Sequence, residues 1–158
     1  MVAVSIKKKL FEAAGRLGAI LGDAAPEIED ALASYGTHIG TAFQLIDDVL
    51  DYSGQEAEPG KHLGDDLAEG KSTLPLILVI QNGTREQAAL VREAIEQASG
   101  DRFAEVLDAV RSSGALDAAR RHGEAEAAVA KASLAVLPDS KFRETLLQLA
   151  DFAVQRSF

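Results

Sequence analysis

The sequence has 158 residues, of which 47% are hydrophobic, 5% aromatic and 26% charged, and its formal net charge is −9 at pH 7. The length and apolar content suit one ordinary domain with a sizeable core, whereas the acidic balance disfavours nucleic acid and anionic membrane surfaces as partners. Because cysteine is absent, a disulfide framework, a thiolate nucleophile and a cysteine-ligated metal are all excluded.

The N-terminal part predicts two helices. The first covers residues 8–23 and places its larger apolar side chains on one face, namely Leu10, Phe11, Ala14, Leu17 and Leu21. Pro26 suits the first turn of a second, unusually long helix over residues 26–52. Gly36 and Gly40 lie four apart in that helix, where each costs about 1 kcal/mol of helix propensity. Their spacing would let a neighbouring backbone approach closely.

Residues 53–72 contain four glycines and a proline, and they predict a long loop, which is a candidate functional segment. A short buried helix follows at 72–81, with Pro75 tolerated in its first turn, and then a turn at Asn82-Gly83. The longest uncharged apolar run of the whole sequence is LPLILVI at 74–80, and it is too short to span a bilayer. No signal peptide is visible, so a cytoplasmic setting is expected.

Four helices are predicted in the remainder of the chain. Thr84 and Gln87 form a capping box that opens a helix at 84–99, which Gly100 closes. Further helices are predicted at 101–113, 114–138 and 139–158, the last beginning on an Asp or Ser cap. No strand alternation and no repeat is visible. The sequence therefore predicts an all-α helical bundle, organised as a single domain over residues 1–158.

The segment FQLIDDVLDYSG (43–54) carries three aspartates near the predicted end of the second helix. Asp47 and Asp51 project to nearly the same side, with Asp48 adjacent, and at this spacing like charges repel while the helix dipole disfavours carboxylates. A hard cation such as Mg²⁺ would reverse this cost, because it takes oxygen ligands from carboxylates, waters and substrate phosphates. A solvated helix end is the structural alternative. The apolar residues between the aspartates leave little of the helix free to face water.

The string FQLIDDVLDYSG followed by GKHLGDDLAEGKSTLPLI resembles the second aspartate-rich region of the trans-isoprenyl diphosphate synthases, and especially their long-chain polyprenyl branch. LFEAAGRLGAILG resembles the helix that precedes this region. The likeness extends over nearly the whole chain from about Leu10, whereas residues 1–9 are not family-like. It identifies the chain as the C-terminal part of an all-α prenyltransferase.

The resemblance implies an enzyme that condenses an allylic diphosphate with isopentenyl diphosphate and releases pyrophosphate. Asp47, Asp48 and Asp51 would bind Mg²⁺ that holds the allylic diphosphate. Lys61 would contact that diphosphate and Gln44 would line the same cavity. Lys71 is also counted among the substrate-binding residues, in a weaker role than Lys61, with pinning of the loop as the alternative. Asp65 and Asp66 also match the motif, with loop-ordering hydrogen bonds to backbone amides as the alternative to metal contact.

The sequence departs from the family in one large respect. The first aspartate-rich motif and the arginine pair that follows it have no counterpart here, and Ile6 and Lys7 stand where the family has a Lys-Thr pair. We therefore expect the chain alone to be inactive. Family members are homodimers, so homodimer formation or another self-association through an exposed apolar face is expected.

Two other functions are considered for this chain, together with two residues of its final helix. The chain could be a non-catalytic helical partner subunit of a prenyl diphosphate synthase, although a scaffold has no need of a costly acidic cluster. A terpene cyclase-like relative is disfavoured because its second motif departs from DDxxD. In the final helix, Phe152 is expected to pack, while the role of Arg156 is left open.

Overall fold

The structure, a computed structural model, describes residues 2–53, 64–98 and 100–156, with side chains from Ile6 onward. These residues form eight α-helices and no strand, which confirms the all-α prediction. The helices are α1 (Val2–Leu21), α2 (Pro26–Leu50), α3 (Asp65–Ala68), α4 (Leu74–Asn82), α5 (Arg85–Gln97), α6 (Phe103–Ser112), α7 (Ala115–Ser133) and α8 (Lys141–Gln155). Two short 3₁₀ turns lie at Gly100–Arg102 and Leu134–Val136.

The helices form two compact units, each with its own buried cluster. One unit contains Asp47–Arg121, and the other contains Val2–Ile46 and His122–Arg156. The core of the first unit includes Val49, Tyr52, Leu67, Leu76, Val79, Val91, Val106 and Val110. The core of the second includes Tyr35, Ile39, Ala130, Leu134, Ala150 and Ala153. The expectation of a single domain over residues 1–158 stays a prediction.

Helices α1 and α2 approach each other closely at glycines, as Gly36 and Gly40 predict. A Cβ atom at Gly36 would lie 2.2 Å from the carbonyl oxygen of Phe11, and one at Gly15 would lie 2.2 Å from that of Leu32. Only a residue without a side chain fits at such distances. This contact uses the glycine-bearing side of α1, so the larger apolar residues of its other side, Leu10, Leu17 and Leu21, remain exposed.

Several helix boundaries differ from those predicted. Helix α2 ends at Leu50, the predicted loop contains the short helix α3, and α4 continues through Asn82 before Gly83. Helix α5 ends at Gln97 because Ala98 adopts a left-handed conformation with φ 44°, so Gly100 begins a 3₁₀ turn and does not close the helix. The helix predicted at 114–138 is shorter in the structure: α7 ends at Ser133, and a 3₁₀ turn at Leu134–Val136 follows it before Pro138.

Both predicted N-terminal caps are confirmed. The Thr84 hydroxyl accepts the Gln87 amide at 3.2 Å, and the Gln87 side chain accepts the Thr84 amide at 2.8 Å, which completes the capping box of α5. The Ser140 hydroxyl accepts the Arg143 amide at the start of α8. These contacts satisfy amides that the helix itself leaves without partners.

We expect Thr84→Ala to lower the free energy of unfolding by about 1 kcal/mol, because the Gln87 amide loses its side-chain acceptor. Urea denaturation of the variant and of Thr84→Ser measures the effect. The serine variant keeps the hydroxyl and should remain close to the wild type. Equal losses for alanine and serine would assign the effect to the threonine methyl group instead of the cap.

No helix among the described residues combines the length and the apolar character needed to cross a membrane.

Candidate functional site

The acidic cluster at the end of α2 is largely buried. Asp48 is 4% exposed and Asp51 is 5% exposed, whereas Asp47 is partly exposed. The Asp51 amide donates to the Asp47 carbonyl at 3.1 Å, so the helical turn continues past Leu50 and carries all three carboxylates. The alternative of a solvated helix end is therefore wrong for Asp48 and Asp51. Burying such groups is costly unless charge or hydrogen bonding compensates them.

The apolar residues of the same segment explain this burial. Ile46, Val49, Leu50 and Tyr52 are all buried, so the helix is enclosed on several sides around the aspartates. A helix end enclosed in this way cannot turn its acidic side chains fully into solvent. The packing that stabilises the fold thus imposes an electrostatic cost on the carboxylates.

The N-terminus of α4 lies against Asp48. The backbone amide of Leu74, the first residue of α4, donates a long hydrogen bond of 3.5 Å to Asp48 Oδ2. Thr73 occupies the N-cap position but makes no side-chain cap bond to its own helix. Since the N-terminal end of a helix dipole favours negative charge, α4 offsets part of the cost of burying Asp48.

Tyr52 lies fully buried beside this cluster. Its hydroxyl accepts a hydrogen bond of 3.5 Å from Thr73 Oγ1, and its ring centroid lies 6.1 Å from that of Phe103. Burial raises the pKa of Tyr52 well above its ordinary value, and the carboxylates of Asp51, Asp66 and Asp48 raise it further. The phenol therefore stays protonated.

Lys71 is held by the loop that carries it. Its Nζ atom lies 2.8 Å from Asp66 Oδ1 and 2.7 Å from Glu69 Oε2, and its backbone amide donates to the Asp66 carbonyl. The hydrogen bond to Asp66, followed by that to Glu69, raises the pKa of Lys71. These contacts suit the loop-pinning role predicted for Lys71. The partner of the Asp66 side chain is therefore the Lys71 ammonium. Hydrogen bonds to backbone amides had been predicted as the alternative to metal contact for this residue.

The remaining predicted residues are distributed as follows. Gln44 is buried on α2, one helical turn before Asp48. Lys61 lies outside the described residues.

The Arg156 guanidinium carbon lies 3.8 Å from the Phe43 ring centroid, and its Nη2 donates to the Phe43 carbonyl at 3.1 Å. Phe152 is mostly exposed, so the expectation that it packs is wrong: it lies on the outer side of α8, whereas Ala150 and Ala153 face the core.

The donor set of the cluster is that of a hard cation. In the part of the chain that the structure describes, no three His, Cys, Asp or Glu side chains are arranged to hold a metal ion by themselves. Mg²⁺ characteristically uses one or two carboxylates and completes its shell with waters and phosphate oxygens. Two buried carboxylates and a third on the same turn fit that requirement.

The contact of Tyr52 with Thr73 and that of Asp48 with the Leu74 amide were not predicted from the sequence. Both join residues more than 20 positions apart, across the loop that precedes α4. The available signal was Thr73 directly before Leu74-Pro75, which marks the start of a helix. That signal locates the helix N-terminus and says nothing about which side chain it faces.

Comparison with known proteins gives consistent matches. The Polyprenyl synthetase family model matches residues 6–110. The chain is 49% identical over 156 residues to an octaprenyl diphosphate synthase of Escherichia coli, covering 98% of this chain and 48% of that protein. The octaprenyl diphosphate synthase of Haemophilus influenzae is 45% identical over 159 residues, with 99% and 48% coverage.

A solved structure matches as well. The polyprenyl synthase of Caulobacter crescentus, crystallised with calcium and isoprenyl diphosphate, superposes with a TM-score of 0.85 at 42% identity. The match covers 93% of this chain and 45% of that one. The chain thus spans about half the length of the curated relatives and of the solved structure that it matches.

Proposed function

Because this chain belongs to the polyprenyl synthetase family, we propose that it supplies the second aspartate-rich, Mg²⁺- and diphosphate-binding part of a trans-polyprenyl diphosphate synthase. The complete enzyme condenses an allylic diphosphate with isopentenyl diphosphate to give a longer polyprenyl diphosphate. The observation that carries the proposal is the burial of Asp48 and Asp51 on one helical turn. A buried pair of like charges is tolerable where a divalent cation compensates it.

Asp47, Asp48 and Asp51 would hold the metal. When bound, Mg²⁺ neutralises the negative charge of a diphosphate leaving group. The α4 N-terminus donates to Asp48 and keeps that carboxylate in place between α2 and α4. Tyr52, protonated and fully buried, follows the cluster directly along the chain and adds no charge to it.

The neighbouring polar residues act on the diphosphate and on the loop. Lys61 would contact the diphosphate, because a lysine ammonium is a suitable partner for an anionic leaving group. Gln44, which is buried on α2, would line the substrate cavity of the complete enzyme. Lys71 pins the loop through Asp66 and Glu69. The positive charge of Lys71 is thus largely compensated by Asp66 and Glu69 of its own loop.

The chain alone does not turn over, because a complete site also needs the region that its relatives carry in their other half. Co-expression with the part of the Escherichia coli octaprenyl diphosphate synthase outside the matched region tests this. Radiolabelled isopentenyl diphosphate, farnesyl diphosphate and Mg²⁺ then report on extended product. We expect product from the mixture and none from either part alone.

Two controls make this experiment decisive. Co-purification of the two parts shows whether they associate, so that a failure to assemble is separated from a failure of chemistry. EDTA should abolish product formation by the mixture. An associated complex without activity would contradict the proposal, and so would full activity of the 158-residue chain by itself.

A further inference from the structure

Residues 64–73 lead through α3 to the start of α4, and both ends of this segment contact aromatic side chains. At one end, Gly64 is buried and left-handed, with φ 85°. A Cβ atom there would lie 2.4 Å from Cδ2 and 2.7 Å from Cε2 of Phe103, so the ring lies directly against the Gly64 backbone. At the other end, the Thr73 hydroxyl donates to the Tyr52 hydroxyl at 3.5 Å. We call residues 64–73 the linking segment.

The two aromatic side chains also contact each other. The ring centroids of Tyr52 and Phe103 lie 6.1 Å apart with an interplanar angle of 31°, which is within the range of favourable aromatic pairs. Tyr52 is fully buried, and Phe103 packs against the same core from the first turn of α6. Because Tyr52 directly follows Asp51, the ring pair connects the acidic turn to both ends of the linking segment.

The linking segment determines where two polar groups of the site lie. Lys71 belongs to it and is held there by Asp66, with 2.8 Å between Nζ and Oδ1. The Leu74 amide directly follows it and donates to Asp48 Oδ2 at 3.5 Å. A shift of the segment would therefore move the Lys71 ammonium and the N-terminus of α4 relative to Asp48. Where groups must be held in a reacting geometry, a displacement of about 1 Å can cost about a hundredfold in rate.

From these contacts we propose that Phe103 is a positioning residue of the site: acting through Gly64 and Tyr52, it fixes the linking segment against the acidic turn. Phe103 lies outside the motifs that the sequence analysis identified. Its effect on a diphosphate rests on the proposed function, whereas its effect on the linking segment is a property of the chain itself. A residue that served only the core would stabilise α5 and α6 as much as the segment. A positioning residue acts first on the segment, which can open locally.

Amide hydrogen exchange of Phe103→Leu in the 158-residue chain tests the proposal without any ligand. Leucine removes the ring and keeps an apolar side chain. The reporters are the amides of Ala68 and Lys71, which donate to the carbonyls of Gly64 and Asp66. We expect these amides to exchange about tenfold faster than in the wild type, relative to the amides in the middle of α5 and α6. Phe103→Tyr retains the ring and should exchange as the wild type does.

Titration calorimetry of the same variants with inorganic diphosphate and Mg²⁺ connects the segment to the proposed function. We expect the Kd of Phe103→Leu to rise about five- to tenfold, which is the size of effect that loss of an aromatic contact brings, and that of Phe103→Tyr to stay at the wild-type value. Phe142→Leu is the matched control, because Phe142 lies on α8 and is 85% exposed. It should change neither the exchange rates nor the Kd.

Two results would overturn the proposal: exchange in the linking segment of Phe103→Leu that is unchanged or rises no more than in α5 and α6, and a wild-type Kd for that variant. A wild type that binds no diphosphate would contradict the proposed function, and the exchange rates then decide the role of Phe103 alone.

Tyr52→Phe tests the other end of the segment with a smaller change, should Phe103→Leu fail to fold. It removes only the hydroxyl that meets Thr73, so exchange should rise at the Thr73 amide and not at Ala68. Unchanged exchange at Thr73 would contradict the proposal, because the ring pair would then not hold this end of the segment.

Discussion

Replacing Asp48 by asparagine in the reconstituted synthase is expected to lower kcat/KM by about a thousandfold. The reason is that a carboxylate on Mg²⁺ contributes several kcal/mol of charge stabilisation, and each 1.36 kcal/mol corresponds to a factor of ten in rate. Asparagine keeps an oxygen in the position where the Leu74 amide donates, so the contact with α4 is retained. Steady-state kinetics with isopentenyl diphosphate as the varied substrate measures the change.

The same substitution should not destabilise the free chain. Without Mg²⁺, Asp48→Asn removes one of the like charges on a buried turn, so the free energy of unfolding should stay equal or rise. Asp108→Asn is the matched control, because Asp108 is exposed on α6 and lies in the same unit. That control should change neither property. Wild-type kinetics for Asp48→Asn would show that this carboxylate does not act on the metal.

The second large effect concerns the contact between α1 and α2. We expect Gly36→Ala to lower the free energy of unfolding by about 1–3 kcal/mol through overpacking. The new Cβ would lie 2.2 Å from the carbonyl oxygen and 2.6 Å from the carbonyl carbon of Phe11, and a helix backbone cannot yield as a side chain can. This cost exceeds the gain of about 1 kcal/mol that alanine brings in helix propensity.

Gly18→Ala is the control for this prediction. Gly18 lies on α1, and a Cβ there would meet nothing within 4 Å. Only the propensity gain remains, so this variant should be stabilised by about 1 kcal/mol. Urea denaturation of both variants gives the two free energies. If the free energy of unfolding changed in the same direction in both variants, the close approach of the helices would not be the reason for glycine at position 36.

Local signals in the sequence predicted the features that depend on neighbouring residues. The hydroxyls of Thr84 and Ser140 cap the helices that follow them because a cap is a contact within a single turn. The close approach of a neighbouring backbone at Gly36 was also predictable, because Gly36 and Gly40 lie four residues apart on one helix. For the same reason the crowding of Asp47, Asp48 and Asp51 was visible without a structure.

Features that depend on distant parts of the chain were not predictable in this way. The periodicity of α1 showed an apolar face, yet the glycine-bearing side makes the contact with α2 and leaves that face exposed. Gly100 was expected to close α5, but Ala98 already takes the left-handed conformation that ends it. The contacts of Tyr52 with Thr73 and of Asp48 with Leu74 exist only because the fold brings α4 to the end of α2.

The central claim is that the buried aspartates on α2 form a site for a divalent cation and a diphosphate. Calorimetric melting of the 158-residue chain with Mg²⁺ and inorganic diphosphate tests it most directly. At a hundredfold excess over Kd, the stabilisation is about 2.7 kcal/mol, which corresponds to a rise in Tm of about 5–10 °C. We predict this rise for the wild type with both ligands present, and none for Asp48→Asn/Asp51→Asn. An unchanged Tm in the wild type, or an equal rise in the double variant, would contradict the claim.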